Sequence, residues 1–142
     1  MSFGRPGIAQ YQQVGTQSAS YADPWELTGM LFSGAIERIA QARHALETGD
    51  VARRGERISK AISILDELRG TLDHDMDPDF AGSLDALYDY MQTRLLHANA
   101  QRDAGALDEV AGLLREIKAG WDGIPTEARS AHAQRSAEPA GR

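Results

Sequence analysis

The stretch SLDALYDYMQTRLLHANAQRD, residues 83–103, carries its apolar side chains at helical spacing. Leu84, Leu87, Tyr88, Met91, Leu95 and Ala98 recur at steps of three and four, so they share one face of a helix. A stripe of that width has to be buried against other helices. Two large apolar residues fall off it. Tyr90 lies roughly 110° from the centre of the stripe, and Leu96 about as far on the other side. Apolar groups on the outer face of a helix either widen a core or wait for a partner.

Working outward, the same helix has a clear start. Asp77 can accept from exposed backbone N–H groups, and Pro78 suits the first helical position. Asp23, Pro24, Trp25 and Glu26 repeat that start upstream, with Glu26 placed to close a capping box. A first helix is expected from there to about Thr48, where Gly49 offers a left-handed turn. Its inner stripe is Phe32, Ala35, Ile39, Ala42 and Leu46. Asp50 caps a second helix to about Leu72, with Ile58, Ala61, Ile62, Leu65, Leu68 and Leu72 inward. Asp103 and Gly105 mark a break before a fourth helix, whose seam is Leu107, Val110, Leu114, Ile117 and Trp121. Four amphipathic helices with short links predict an all-α fold, an antiparallel four-helix bundle over residues 23–123.

The flanks read differently. Residues 1–22 are rich in Gly, Gln and Ser and carry Ile8, Tyr11, Val14 and Tyr21, which predicts a flexible N-terminal arm. Residues 124–142 hold almost no large apolar side chain after Ile124 and predict a disordered tail, because burial cannot offset the entropy of ordering.

Composition narrows the function. At 42% hydrophobic and 6% aromatic, the core should be built from Leu, Ile and Ala. A net charge of −6 makes a nucleic-acid partner a poor fit, since cations supply most of that affinity. The absence of cysteine excludes disulfides, zinc-thiolate sites and cysteine nucleophiles. No apolar run is long enough to span a bilayer and no signal-peptide pattern opens the chain, so a cytosolic protein is expected.

Chemistry finds little support. LDHDMDPDF, residues 72–80, spaces Asp73, Asp75, Asp77 and Asp79 like the start of a calcium loop. The match then fails, because Pro78 stands where such a loop turns on Gly and Leu84 stands where it needs Glu. A di-iron bundle needs Glu-x-x-His pairs, and there are none. A histidine-phosphotransfer bundle would rest on His97, near Arg94 and Arg102, or on His44 beside Arg43. No cofactor, metal or catalytic constellation is implied, so a non-enzymatic protein is expected.

The apolar residues left outside the stripes are the more informative set. Leu27 and Met30 are off the first helix's seam, Leu31 is at its edge, and Ile64 widens the apolar arc of the second helix. Leu113 flanks the fourth seam. Some of these positions would simply widen the core. The rest point to a groove for an amphipathic helix or to a dimer face.

Several passages together resemble the flagellar secretion chaperone family, FliS. They are Tyr11 with SYADPWELTGMLFSGAI (20–36), ISKAISILDELRGTLD (58–73), LYDYM (87–91) followed by Arg94, Leu95, Ala98 and Asn99, and the series Asp103, Leu107, Glu109 and Val110 before Trp121. Where that family commonly has Leu-Tyr-Asp-Gly, this chain has Leu31, Phe32, Ser33 and Gly34, and Thr28 and Gly29 replace a pair that is typically more helix-favouring. The resemblance implies a cytosolic export chaperone whose client is the C-terminal segment of flagellin. It would bind that segment, prevent premature polymerisation and keep the subunit competent for secretion. The flagellar export apparatus is a further expected contact. The residues assigned to the client are Tyr11, Leu27, Met30, Leu31, Ile64, Leu68, Tyr90 and Leu96. Ile8, Tyr11 and Val14 are expected to cover part of the groove when no client is present. The phosphotransfer reading, and a chaperone-like bundle with another client, stand as alternatives.

Overall fold

The computed structural model describes residues 23–125. They form four helices: α1 (Pro24–Thr48), α2 (Val51–Gly70), α3 (Pro78–Gln101) and α4 (Ala104–Asp122). No strand occurs among the described residues. The arm over residues 1–22, Tyr11 included, and the tail from residue 126 lie outside them.

One device starts every helix. Asp23, Asp50, Asp77 and Asp103 are the N-caps, and each carboxylate accepts from the backbone N–H three residues on, at 2.9, 3.1, 3.2 and 3.2 Å. A cap of this kind stabilises a helix by about 1 kcal/mol and fixes where the chain turns. The ends differ. At α1, Gly49 takes φ 77°, and the N–H groups of Gly49 and Asp50 bond back to Leu46 and Ala45. That closure lets α2 begin immediately. At α3 the left-handed position belongs to Arg102, φ 51°, where glycine would be less strained.

The helices close into a ring in which α1 packs on α2 and α4, and α3 packs on α2 and α4, with no close backbone approach across either diagonal. Contacts at opposite ends show that neighbours run antiparallel. Arg69 near the end of α2 meets Asp85 near the start of α3, while Arg54 near the start of α2 meets Asn99 near the end of α3. Trp25 at the start of α1 stacks on Trp121 at the end of α4, with ring centroids 3.6 Å apart, and Arg43 further along α1 meets Asp108.

The core follows the stripes. Phe32, Ala35, Ile39, Ala42, Ile58, Ala61, Leu65, Leu68, Tyr88, Met91, Leu95, Ala98, Leu107, Val110 and Leu114 are all buried. Leu46, Ile62, Leu72, Leu84, Leu87, Ile117 and Trp121 are partly buried around them. Burial pushes the Tyr88 phenol well above its usual range, so it stays neutral. Small residues also enter the core. Ala45, Ala81, Ala106 and Ala111 are buried, as is Leu31 at the edge of the α1 stripe.

A groove over the first helix

The outer side of α1 near its N-terminus is hollow. A groove of about 580 Å³ runs over it toward the end of α4. Trp25 and Trp121 form one side, stacked nearly parallel at 14°, and the Trp121 indole N–H donates to the Trp25 carbonyl at 3.3 Å. Phe32 meets the Trp121 ring edge-on from beneath, at 5.9 Å. Gly29, Met30, Ser33 and Gly34 line the bed, so the surface drops where larger side chains would otherwise fill it.

The glycines are not required by the packing beneath them. A Cβ at Gly29 would lie 3.9 Å from Trp121 Nε1, and one at Gly34 would lie 3.5 Å from Ile64 Cδ1, both ordinary contacts. Each glycine costs about 1 kcal/mol relative to alanine in a helix interior. The bundle thus accepts a loss in stability here for a shallow, open surface. Gly29 and Ser33 are among the positions where this chain differs from the residues the resemblance implies, while Gly34 agrees with them.

The residues expected to meet a client divide among several environments. Met30 lines the groove, and Ile64 lies half-buried under its α2 edge, against Gly34. Leu27 is half-buried on the same helix. Leu31 and Leu68 are 4% and 0% exposed and pack in the core of the bundle. Leu31 turns inward because the α1 stripe is wider than its spacing suggested. Leu68 satisfies the α2 stripe itself.

Tyr90 and Leu96 belong to another face. They lie on α3, diagonally across the ring from α1, and are 43% and 60% exposed. Tyr90 is anchored, because its hydroxyl donates to Glu109 Oε2 on α4. Arg94 donates to the other oxygen of Glu109 at 2.9 Å and stands near Asp103. The Tyr90 hydroxyl, followed by Arg94, holds the Glu109 carboxyl below its usual range, and the same bond pushes the Tyr90 phenol up. No single groove therefore unites the expected residues.

The groove's aromatic side was only half legible. Trp121 was placed on a seam and Trp25 in a helix start, but their stacking joins positions 96 residues apart. Gly29, with Ser33 and Gly34 about one turn further on, was the available signal for an open helix face.

His97 is exposed, and its Nε2 lies 3.2 Å from Asp103 Oδ2. A phosphoryl group on that nitrogen would face a carboxylate. Among the described residues no group of three or more His, Cys, Asp or Glu is placed to hold a metal, and no helix is long and apolar enough to cross a membrane.

Comparison with known proteins gives the groove its context. The family model described as Flagellar protein FliS matches residues 7–128. The chain is 45% identical over 123 residues to the flagellar secretion chaperone FliSB of Pseudomonas aeruginosa, covering 86% of this chain and 98% of that one. It is 46% identical over 124 residues to the flagellar secretion chaperone FliS of Salmonella typhimurium, covering 86% and 92%. A solved structure titled as a flagellar chaperone from bacteria superposes with a TM-score of 0.67 at 21% identity, over 83% of this chain and 96% of that one, and shows the same fold. On the family match and on identities of this size over most of its length, the chain belongs to the FliS family of flagellar secretion chaperones.

Proposed function

We propose that this protein is a cytosolic chaperone for flagellin, without turnover, that binds the client's C-terminal segment, blocks premature polymerisation and keeps the subunit competent for export. The observation that carries the reading is the groove over α1, where a bundle of this family gives up helix stability at Gly29 and Gly34 beside a stacked tryptophan pair. An amphipathic segment entering it would exchange its own exposed apolar surface for contact with Met30 and the indoles. The driving force is apolar burial in excess of the cost of ordering the client.

The test is calorimetric titration of the full chain with the C-terminal segment of flagellin from the same organism, followed in parallel by circular dichroism. One-to-one binding with a gain of helix and a negative heat-capacity change is expected. Met30→Asp should weaken binding at least tenfold, about 1.4 kcal/mol, with the melting curve retained, since the residue lies at the surface. No binding by the unaltered chain would overturn the reading. The phosphotransfer alternative gains nothing from the carboxylate beside His97.

A further inference from the structure

The groove's rim is charged as well as shaped. Glu26 and Glu37 stand on the outer face of α1, at either end of the bed formed by Gly29, Ser33 and Gly34. The Glu26 carboxylate is exposed, and only its backbone N–H takes part in the Asp23 cap. Glu37 accepts from Arg38 Nη1 at 2.7 Å, yet its side chain remains 65% exposed and open to a second cation. The lysine of the lining, Lys118, donates to Asp122 of the same lining, so these two largely neutralise each other. The groove is thus apolar in its bed and negative at its ends.

The two glutamates are separated by three helical turns, which is about 16 Å along the axis at 1.5 Å per residue. Gly29 and Ser33 lie one turn apart between them and allow a second helix to approach closely. A helix aligned along α1 would bring its own residues past the same two points at the same spacing.

We propose that the occupant of this groove is a helix carrying two basic residues about eleven positions apart, with a bulky apolar residue between them. The basic residues pair with Glu26 and Glu37, and the apolar one enters between Gly29 and Gly34. This assignment rests on the chaperone reading and adds to it the chemistry by which the client is chosen. The pairs are solvent-exposed, so they set selectivity and approach more than total affinity.

The experiment compares the unaltered chain with E26Q, E37Q and the double variant, each checked by thermal melting. The flagellin C-terminal segment is titrated at about 50 and 300 mM salt, across which surface pairs are progressively screened. The double variant should bind about three- to tenfold more weakly at low salt and lose most of its salt dependence, with each single variant in between. If the segment binds the unaltered and doubly altered chains equally at both salts, this inference is overturned and the chaperone reading stands. If the segment does not bind at all, the chaperone reading fails, and the groove is probed with two designed helical peptides. One carries Arg eleven residues apart around a central Leu, and the other has Glu at both of those positions. A preference for the Arg peptide that E26Q/E37Q abolishes supports the inference. Equal binding, or none, overturns it.

Discussion

Helices α1 and α3 occupy opposite corners of the same ring, and they are held in it by different forces. Along α1 the seams are mostly apolar. Ala35, Ala42 and Ala61 are fully buried, and the Trp25, Trp121 and Phe32 cluster closes the far end. Along α3 both seams are crossed by polar links. Toward α2, Arg69 makes a two-pronged contact with Asp85 and also reaches Asp89 and Gln92, whose amide in turn bonds to Asp66 and the Ile62 carbonyl. At the other end of that seam Arg54 holds Asn99. Toward α4, Tyr90 and Arg94 share Glu109. Apolar packing leaves the outer face of α1 free to be hollowed. Polar cross-links use the flanks of α3 to fix its position and register. Of the large apolar groups that α3 exposes, Tyr90 is tied into one of these polar links, and the recess lies on α1.

The comparison can be broken hardest on the apolar side. Phe32→Ala removes a ring that is 1% exposed and leaves a cavity beneath Trp121. A loss of about 3–5 kcal/mol is expected in denaturant unfolding, together with a change in tryptophan fluorescence as the indole stack loosens. A smaller loss would mean that the α1 seams can close over the gap.

The next largest effect belongs to α3. Arg54 is 7% exposed and donates through Nε to Asn99 Oδ1 at 2.9 Å and through Nη2 to the Asn99 carbonyl at 3.2 Å. That carbonyl is in the last turn of α3, where a cation also favours the helix dipole. Arg54→Ala should cost about 1.5–3 kcal/mol, with faster hydrogen exchange confined to the end of α3. Uniform loss of protection would show that the bond supports the whole bundle and not one corner.

The smallest effect sharpens the contrast by its dependence on acid. Arg69 holds the Asp85 carboxyl below its usual value of 3.8, first through their hydrogen bonds. The Tyr90 hydroxyl and Arg94 do the same for Glu109, and the Ala106 N–H for Asp103. A carboxylate whose folded pKa is depressed contributes stability that is complete above its unfolded pKa and is lost as pH falls through the folded value. The contribution of these links should therefore be flat at neutral pH and decline below about pH 4. Arg69→Met should leave the melting temperature almost unchanged at neutral pH in high salt and flatten its decline in acid. An unchanged acid profile would assign that decline to other carboxylates.

Much of this was legible before any tertiary contact was known. The first three helix starts were legible because an Asp cap depends on three or four adjacent residues, whereas Asp103 reads as a break and its cap shows only in the structure. The α1 end was readable because glycine tolerates the left-handed turn at residue 49. The end of α3 gave no such signal, since Arg102 takes a left-handed conformation that its side chain does not favour. Among the expected client residues, Met30 reached the groove, while Leu31 and Leu68 went to the core. A wheel gives the angle of a side chain on its own helix but not how far the neighbouring helices wrap around it.

The sequence by itself determined the four helices, the caps of the first three, their order and most of their inner faces, because caps and stripes are local properties of a few turns. Only the tertiary structure decided which off-stripe residues share a surface. It brought Trp25 onto Trp121, placed Glu26 and Glu37 at the ends of one recess, and put α3, with its Tyr90 and Leu96, across the diagonal from α1. Those groupings depend on how helices close into a ring, which joins residues far apart in the chain through packing that no local pattern records.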